Sequence, residues 1–299
     1  MDWLHHPRFA RQRAEAIRRL KHDEYDFLRT KKVVFLCGGF ESRRRDALSK
    51  YLARFADDTL VFYAEAVWAV IAEALPNANA LAIEEQLAAL ADIVVVVVES
   101  VGTFAEIGAF ALSAPLRSKL LPILDGAYKN TDSFLTTGPI RWVDNDSLFG
   151  PSIWTDFGQI LVAASEVQDR LSRIARSRPA RISSAALLNS PKHLLFFVCD
   201  IIAVFGPCPM THISDTVHRI LETHIDINLY VALGKALRLL GSFPVAGMEH
   251  YYRRLEDGRL LAFQRKRRID LATLRSQVLS AMQKCEPCIP VLTELKQHL

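Results

Sequence analysis

The chain has 299 residues, half of them hydrophobic and 23% charged, which excludes a disordered protein and suffices for two packed domains. Its 37 basic and 33 acidic residues leave a formal charge of +4, too small for total charge to mark a polyanion binder. Five cysteines, an odd number in a chain this long, exclude a disulfide framework. The longest apolar run, "LLFFVCDIIAVF" (194–205), holds Asp200 and falls short of the roughly 20 residues a bilayer span needs. "MDWLHHPRFARQR" has no apolar leader core, so a cytoplasmic protein with no membrane partner is expected.

Residues 1–30 read as a charged helical arm with scattered apolar contacts from Trp3, Phe9, Ile17, Leu20 and Phe27. From Lys32 the pattern changes. "KVVFLCGG" is a short apolar strand ending in Gly38 and Gly39, and "ESRRRDALSKYLARF" after it is a helix with Leu48, Tyr51, Leu52 and Phe55 on one face. "TLVFYAE" (59–65) is a second strand, ending at Glu65, and "AVWAVIAEAL" and "LAIEEQLAALA" are helices. The run "IVVVVV" (93–98) is a strand without apolar/polar alternation, hence covered on both faces and central, and "SKLLPIL" (118–124) is a fourth strand.

Strands alternating with helices at this spacing predict a doubly wound α/β domain with a mostly parallel sheet over residues 31–165. Such sheets bind ligands outside the carboxyl ends of their strands. Those positions hold Gly38–Gly39, Glu65, Glu99–Ser100–Val101–Gly102 and Asp125–Gly126. Glycines that admit backbone N–H groups to phosphate oxygens, beside carboxylates that hold ribose hydroxyls, suit a sugar-phosphate pocket.

Residues 166–190 are basic and helical, broken by Pro179, and read as a linker. A second domain spans 191–299: one helix closed by Gly206, a second after Pro209, a third, "INLYVALGKALRLL", ended by Gly241, then two runs around Asp257–Gly258 that signal a hairpin. Three helices and a hairpin follow the order of a winged helix-turn-helix, and a plain helical interaction domain fits the pattern as well. Basic clusters "RQRAEAIRRLK", "RLSRIARSRPAR" and "QRKRR" are either solvated faces or nucleic-acid contacts. "CEPC" (Cys285, Cys288) has zinc-knuckle spacing but no second pair, so no metal is expected.

The stretch "ESVGTFAEIGAF" (99–110) carries the chemistry. Glu106 lies three residues beyond Thr103, as in a capping box, so it is either a helix cap or a catalytic group. Its context at the end of a buried strand, with Glu65, Glu99 and Asp125 expected at neighbouring strand ends, suits glycosidic chemistry. An oxocarbenium-like transition state gathers positive charge, and a close anion stabilises it or attacks.

"FLCGG" (35–39), "ES-x-GTFAE-x-GAF" (99–110) and "SF…GP-x-R" (133–141) resemble the effector proteins of type II retron anti-phage systems, whose N-terminal domain is similar to nucleoside 2-deoxyribosyltransferases. The resemblance extends into the C-terminal third, where those effectors have a winged-helix-like domain. It implies a cytoplasmic toxin held inactive by a reverse transcriptase and its multicopy single-stranded DNA with the linked RNA (msDNA/msrRNA), in a higher-order assembly. It implies N-glycosidic cleavage with NAD as substrate and no cofactor. Glu106 then matches the family nucleophile. Gly38 and Gly39 match the nucleotide-binding loop, and Ser100, Gly102 and Thr103 match the turn beside the nucleophile. Glu65 and Asp92 fall on acidic positions, Asp92 as a structural one, and Gly138, Pro139 and Arg141 complete the match, Arg141 meeting a phosphate or pinning a loop. Where the family has proline after the serine, this chain has Val101.

NAD suits the site better than purine exchange, because nicotinamide leaves as a neutral molecule and needs no general acid. The alternatives are a nucleoside or nucleotide N-glycosidase or deoxyribosyltransferase, and a nucleotide-sensing winged-helix DNA-binding regulator without bond cleavage.

Overall fold

The computed structural model describes residues 6–21, 26–29, 31–56, 58–65, 67, 87–174, 181–182, 184–255, 260–264 and 270–298. The chain divides into two compact units: Lys31–Ala69 with Asn77–Arg178, and Met1–Thr30 with Val70–Pro76 and Pro179–Leu299.

The first unit is an α/β layer structure. Its strands are β1 (Lys32–Cys37), β2 (Thr59–Phe62), β3 (Ile93–Val97), β4 (Leu120–Asp125) and β5 (Ile153–Thr155), interleaved with α1 (Arg43–Phe55), α2 (Val101–Leu112), α3 (Ala114–Arg117), α4 (Arg141–Asp146) and α5 (Ile160–Ser172). The sheet runs β2-β1-β3-β4-β5, and every pairing is parallel. All five residues of β3 are buried, as its unbroken β-branched run requires. Successive side chains alternate between faces. Ile93, Val95 and Val97 join Val34, Leu36, Leu121 and Ile123 beneath Leu48 and Leu52 of α1 and Ala163, Ala164, Val167 and Leu171 of α5. On the other face Phe35 stacks on Phe62 at 4.9 Å and meets Phe110 of α2 at 6.5 Å.

This order diverges between β1 and β3, so the crevice at their carboxyl ends is the switch point where doubly wound sheets take ligands. Asp92 has the structural role expected: its Oδ2 accepts the Val33 N–H at 2.9 Å and ties β3 to β1. β2 stops at Phe62, leaving Ala64–Glu65 in a helical turn beyond the strand. Most of "AVWAVIAEAL" and the first half of "LAIEEQLAALA" lie outside the described residues, while residues 87–90 are helical. β5 escapes the sequence pattern because three residues are too few to show a period. Residues 166–172, expected in the linker, are the second half of α5, with Val167 and Leu171 in the core.

In the second unit the helix Pro191–Phe205 buries 11 of its residues and is the hub, which explains why it is apolar all round. A two-residue strand, Cys208–Pro209, leads to the helices Met210–Leu221 and Asn228–Ala236 and the strands Leu240–Phe243 and Tyr251–Arg254. The three strands form an antiparallel sheet with Tyr251–Arg254 in the middle. The third helix ends at Ala236, not at Gly241, because Leu240–Phe243 is needed as a strand. Gly234 permits their close approach: a Cβ there would stand 2.6 Å from Leu240 Cδ1. The hairpin expected around Asp257–Gly258 is not seen among the described residues. The turn lies outside the described residues, and its flanks pair elsewhere, Tyr251–Arg254 with Leu240–Phe243 and Leu261–Gln264 with Asp26–Arg29. Most of "QRKRR" and residues 175–180 of "RLSRIARSRPAR" also lie outside the described residues.

The N-terminal helix, Pro7–Leu20, buries Phe9, Ala16, Ile17 and Leu20 within this unit, and its Arg13 is buried against Asp215 and Thr216. Cys285 and Cys288 are buried free thiols in one helical turn, and burial pushes the Cys288 thiol well above the ordinary range.

Asp200, on the hub helix, is fully buried and accepts the N–H groups of Leu260 and Leu261 at 3.0 and 2.7 Å. Burial raises its carboxyl to about 7, against the opposing pull of those two amides and the Arg254 charge. The unfolded carboxyl ionises near 3.8, so between that pH and about 7 the native state holds the extra proton and stability falls as pH rises. Asp200→Asn is expected to flatten this slope in urea titrations at stepped pH. Asp200→Ala is expected to cost about 1–3 kcal/mol throughout by leaving buried N–H groups unpaired.

Candidate active site

The loop after β1 builds one wall of the strand-end crevice. Ser42 caps α1 by accepting the Arg45 N–H, which sets Arg44 and Arg45 in the first helical turn. Arg45 turns one way, to Glu65 at 2.7 Å and over the Tyr63 ring. Arg44 turns the other way: its guanidinium donates to Glu99 Oε2 at 2.8 Å and to the Phe157 carbonyl at 3.1 Å, and lies 4.7 Å from the centre of the Phe157 ring. The other oxygen of Glu99 accepts the Gly39 N–H at 3.1 Å. Glu99 is therefore a buried strut between β1, β3 and α1, its side chain only 7% exposed. Gly38 and Gly39 both serve this packing. A Cβ at Gly38 would press on Arg45 Cδ at 3.0 Å, and Gly39 leaves its amide open to Glu99.

Beyond Glu99 the capping differs from the sequence expectation. The N-cap of α2 is Ser100, not Thr103, and Thr103 is the third helical residue. Ser100 Oγ accepts the Thr103 N–H, while Thr103 Oγ1, almost wholly buried, accepts the N–H groups of Glu99 and Ser100 at 3.0 and 2.9 Å. Threonine thus supplies the return half of the box, which Glu106 would have supplied in its reading as a helix cap. Val101 occupies the first helical position, where proline is tolerated because its N–H has no intrahelical partner, so a side chain of either type fits. Gly102 follows, exposed.

Glu106 consequently lies six residues into α2, beyond the reach of a cap. At about 100° per residue it shares a flank with Phe110, four positions on, and stands about 160° from Phe104. Phe110 faces Phe35 of β1, so Glu106 is turned toward the β1 side of the switch point, half-buried, with Oε2 shielded from solvent.

On the opposite flank a cavity of about 570 Å³ opens at the ends of β3, β4 and β5. Arg44, Glu99, Phe104, Asp125, Trp154 and Phe157 are among its lining residues, with hydroxyls of Thr131, Ser133 and Thr136 at the lip. Of the residues singled out in the sequence, this cavity brings together Glu99 and Asp125. Glu106, Gly38, Gly39, Ser100, Gly102 and Thr103 do not line it, and Glu65, half-exposed, is held by Arg45. Arg141 is exposed at the start of α4, after a widened π turn over Thr136–Ile140 that contains Pro139. Sequence reasoning missed Arg44, Trp154 and Phe157: Arg44 is one of three consecutive arginines, Trp154 is the middle residue of the unrecognised strand β5, and Phe157 follows two residues after it. Among the described residues no three His, Cys, Asp or Glu side chains cluster as metal ligands, and no helix is long and apolar enough to cross a membrane.

A family model described as STM3845 retron effector protein matches residues 41–242, from the turn before α1 through the hub helix to the strand Leu240–Phe243. The chain belongs to this retron effector family. Among relatives, the Escherichia coli protein named "Retron Ec73 putative ribosyltransferase/DNA-binding protein" is 30% identical over 232 residues, 68% of this chain and 72% of that one. The Escherichia coli "Retron Ec86 putative ribosyltransferase/DNA-binding protein" is 36% identical over 112 residues, 36% of each chain. In this retron effector the Arg44–Glu99 strut is expected to behave as a coupled pair. Arg44→Met strands a buried carboxylate and should destabilise the α/β unit, while Glu99→Gln in the same chain should recover part of the loss. A double-mutant cycle by chemical denaturation is expected to give a coupling of about 0.5–3 kcal/mol.

Proposed function

We propose that the protein is the toxic effector of a retron anti-phage defence system, an N-glycosidase that hydrolyses the nicotinamide–ribose bond of NAD with Glu106 as nucleophile. The observation that carries this reading is the position of Glu106, on the switch-point flank of α2 with one carboxylate oxygen shielded from solvent. The names of the relatives, which specify ribosyl transfer, support the same class of chemistry. In this mechanism the carboxylate attacks the anomeric carbon of the nicotinamide riboside half, and the pair from the broken C–N bond neutralises the departing pyridinium. Water then opens the ribosyl ester and restores Glu106. Gly38 and Gly39 hold the loop facing that flank, Ser100, Gly102 and Thr103 set the phase of α2, and Glu65 and Glu99 fix the arginines around the crevice. Arg141, exposed at the start of α4, is assigned a substrate phosphate. No cofactor enters the reaction.

The order of the second unit, helix, strand, two helices and two strands with the last strand central, supports a winged-helix reading. In that reading the unit engages the reverse transcriptase and the msDNA/msrRNA within a larger cytoplasmic assembly that restrains the enzyme. A nucleotide-sensing duplex-binding regulator is the second reading, favoured by the words DNA-binding in the relatives' names. It is the weaker, because the helix Asn228–Ala236 offers base edges and phosphates only Asn228 and Lys235 and is preceded by Asp226.

Glu106→Gln is expected to lower nicotinamide release from NAD by at least about 10²-fold and to abolish toxicity in cells, with an unchanged thermal unfolding midpoint. Undiminished release by the variant would sink the nucleophile assignment. Free base from deoxynucleosides with none from NAD would shift the substrate to the nucleoside class, and ligand-sensitive duplex binding without any base release would favour the regulator.

A further inference from the structure

Cys285 and Cys288 serve neither the reaction assigned to Glu106 nor the winged-helix reading. They sit where the helix Leu271–Gln283 gives way to the last helix, Ile289–Gln297, through the single turn Glu286–Cys288. The buried stripe of the first of these helices, Leu274, Val278 and Met282, continues through Cys285, Cys288 and Val291, all at most 1% exposed. The Cys285 N–H donates to the Met282 carbonyl at 3.0 Å, and the Cys288 N–H donates to the Cys285 carbonyl at 2.9 Å. A turn closed by that second bond brings its end Cα atoms to within about 7 Å, the outer limit that a disulfide spans. The Cys288 thiol is in hydrogen-bonding contact with the Cys285 side chain. Pro287 and Pro290 fix φ on either side of Cys288, so the turn is pre-set rather than adaptable.

Native packing protects this pair. Burial, and then the contact with Cys285, hold the Cys288 thiol well above its ordinary range, and a buried thiol that keeps its proton is a poor nucleophile. The element that follows is weakly held. Of the nine residues of the last helix only Val291 is buried, and Ile289 at its start is 51% exposed. Past its end the His298 ring stacks on Phe243 at 5.3 Å, and the His298 carbonyl accepts from Arg253. A short terminal helix with one core residue opens locally at low cost. Cys288 is its N-cap, so opening releases the turn and wets both sulfurs.

We propose that Cys285 and Cys288 form a vicinal dithiol site that a low-molecular-weight disulfide oxidises to a Cys285–Cys288 disulfide when the last helix opens. One cysteine gives its proton to solvent and attacks the small disulfide, expelling one thiolate. The second cysteine, losing its proton in turn, attacks the mixed disulfide and expels the other. The protein pair is oxidised by two electrons, the small disulfide is reduced to two thiols, and the two protons end on those thiols. The new bond lies at the root of the last helix and makes the seating of that helix on Phe243 and Arg253 sensitive to the thiol–disulfide balance. Nothing in this depends on the reaction assigned to Glu106.

Incubation of the reduced full chain with oxidised glutathione, followed by alkylation in denaturant and digestion with trypsin, tests it. Both cysteines then lie in one peptide, 285–296. That peptide is expected unalkylated and lighter by two hydrogens, while Cys37, Cys199 and Cys208, which are buried too, are alkylated in full. Cys288→Ser is expected to stop at a glutathione adduct on Cys285. Val291→Ala is expected to speed closure at least about threefold, because the lost methyl groups weaken the docking of the last helix. No closed peptide from the native protein under conditions in which the urea-unfolded chain closes, a lasting glutathione adduct in its place, or an unchanged rate in Val291→Ala would each overturn the proposal.

Discussion

Complete burial of β3 on both faces is the constraint from which the α/β unit follows. A strand that offers no polar face can be satisfied only by a helix layer above and below, so α1 and α5 cover one side and α2 the other. Parallel neighbours then need crossovers, and every crossover leaves its loop at the carboxyl edge. Glu99 follows directly on the buried run Ile93–Val98, and the strut it makes to Gly39 and Arg44 closes the point where the sheet diverges.

The phase of α2 follows from that junction. With the cap at Ser100 rather than Thr103, the helix begins three residues earlier, and its first turn is fixed by the reciprocal bonds of Ser100 and Thr103. Thr103, Ile107, Phe110 and Ala111 then face the core, leaving Glu106 and Phe104 on opposite flanks. One helix thereby divides the strand-end edge into two environments. One, toward β1, holds the half-buried carboxylate of Glu106, and the other the aromatic cavity where Arg44 is bonded to Glu99. A shift of the cap by three residues would turn these side chains by about 60° and slide them about 4.5 Å along the helix axis.

In the second unit the hub helix plays the part that β3 plays in the first. From Leu194 on it is apolar all round because other elements pack on every side, and the one charged residue among its 11 buried ones, Asp200, is where the backbone of Leu260–Leu261 is anchored. The third helix carries one charge, Lys235, and Asp226 precedes it, so by itself it offers a phosphate backbone little attraction.

Short-range pattern was enough to determine a good deal from sequence. The unbroken valines announced a buried central strand, the alternation of strand and helix announced a parallel doubly wound sheet, and the residues after the strands, Glu99 and Asp125 among them, are found at the sheet's carboxyl edge. The motif around Glu106 carried the family as well, since its spacing is local. What needed the tertiary structure was everything that depends on partners distant in sequence. T-x-x-E and S-x-x-T are both valid caps, and only the bonds from Glu99 and Ser100 to Thr103 decide between them. Tyr251–Arg254 pairs with an earlier strand rather than across Asp257–Gly258, a choice made by packing on the hub helix. Arg44 looks like any arginine in a basic run until Glu99, 55 residues away, and Phe157, 113 away, converge on it, because ion pairs and ring contacts across a sheet leave no trace in local spacing.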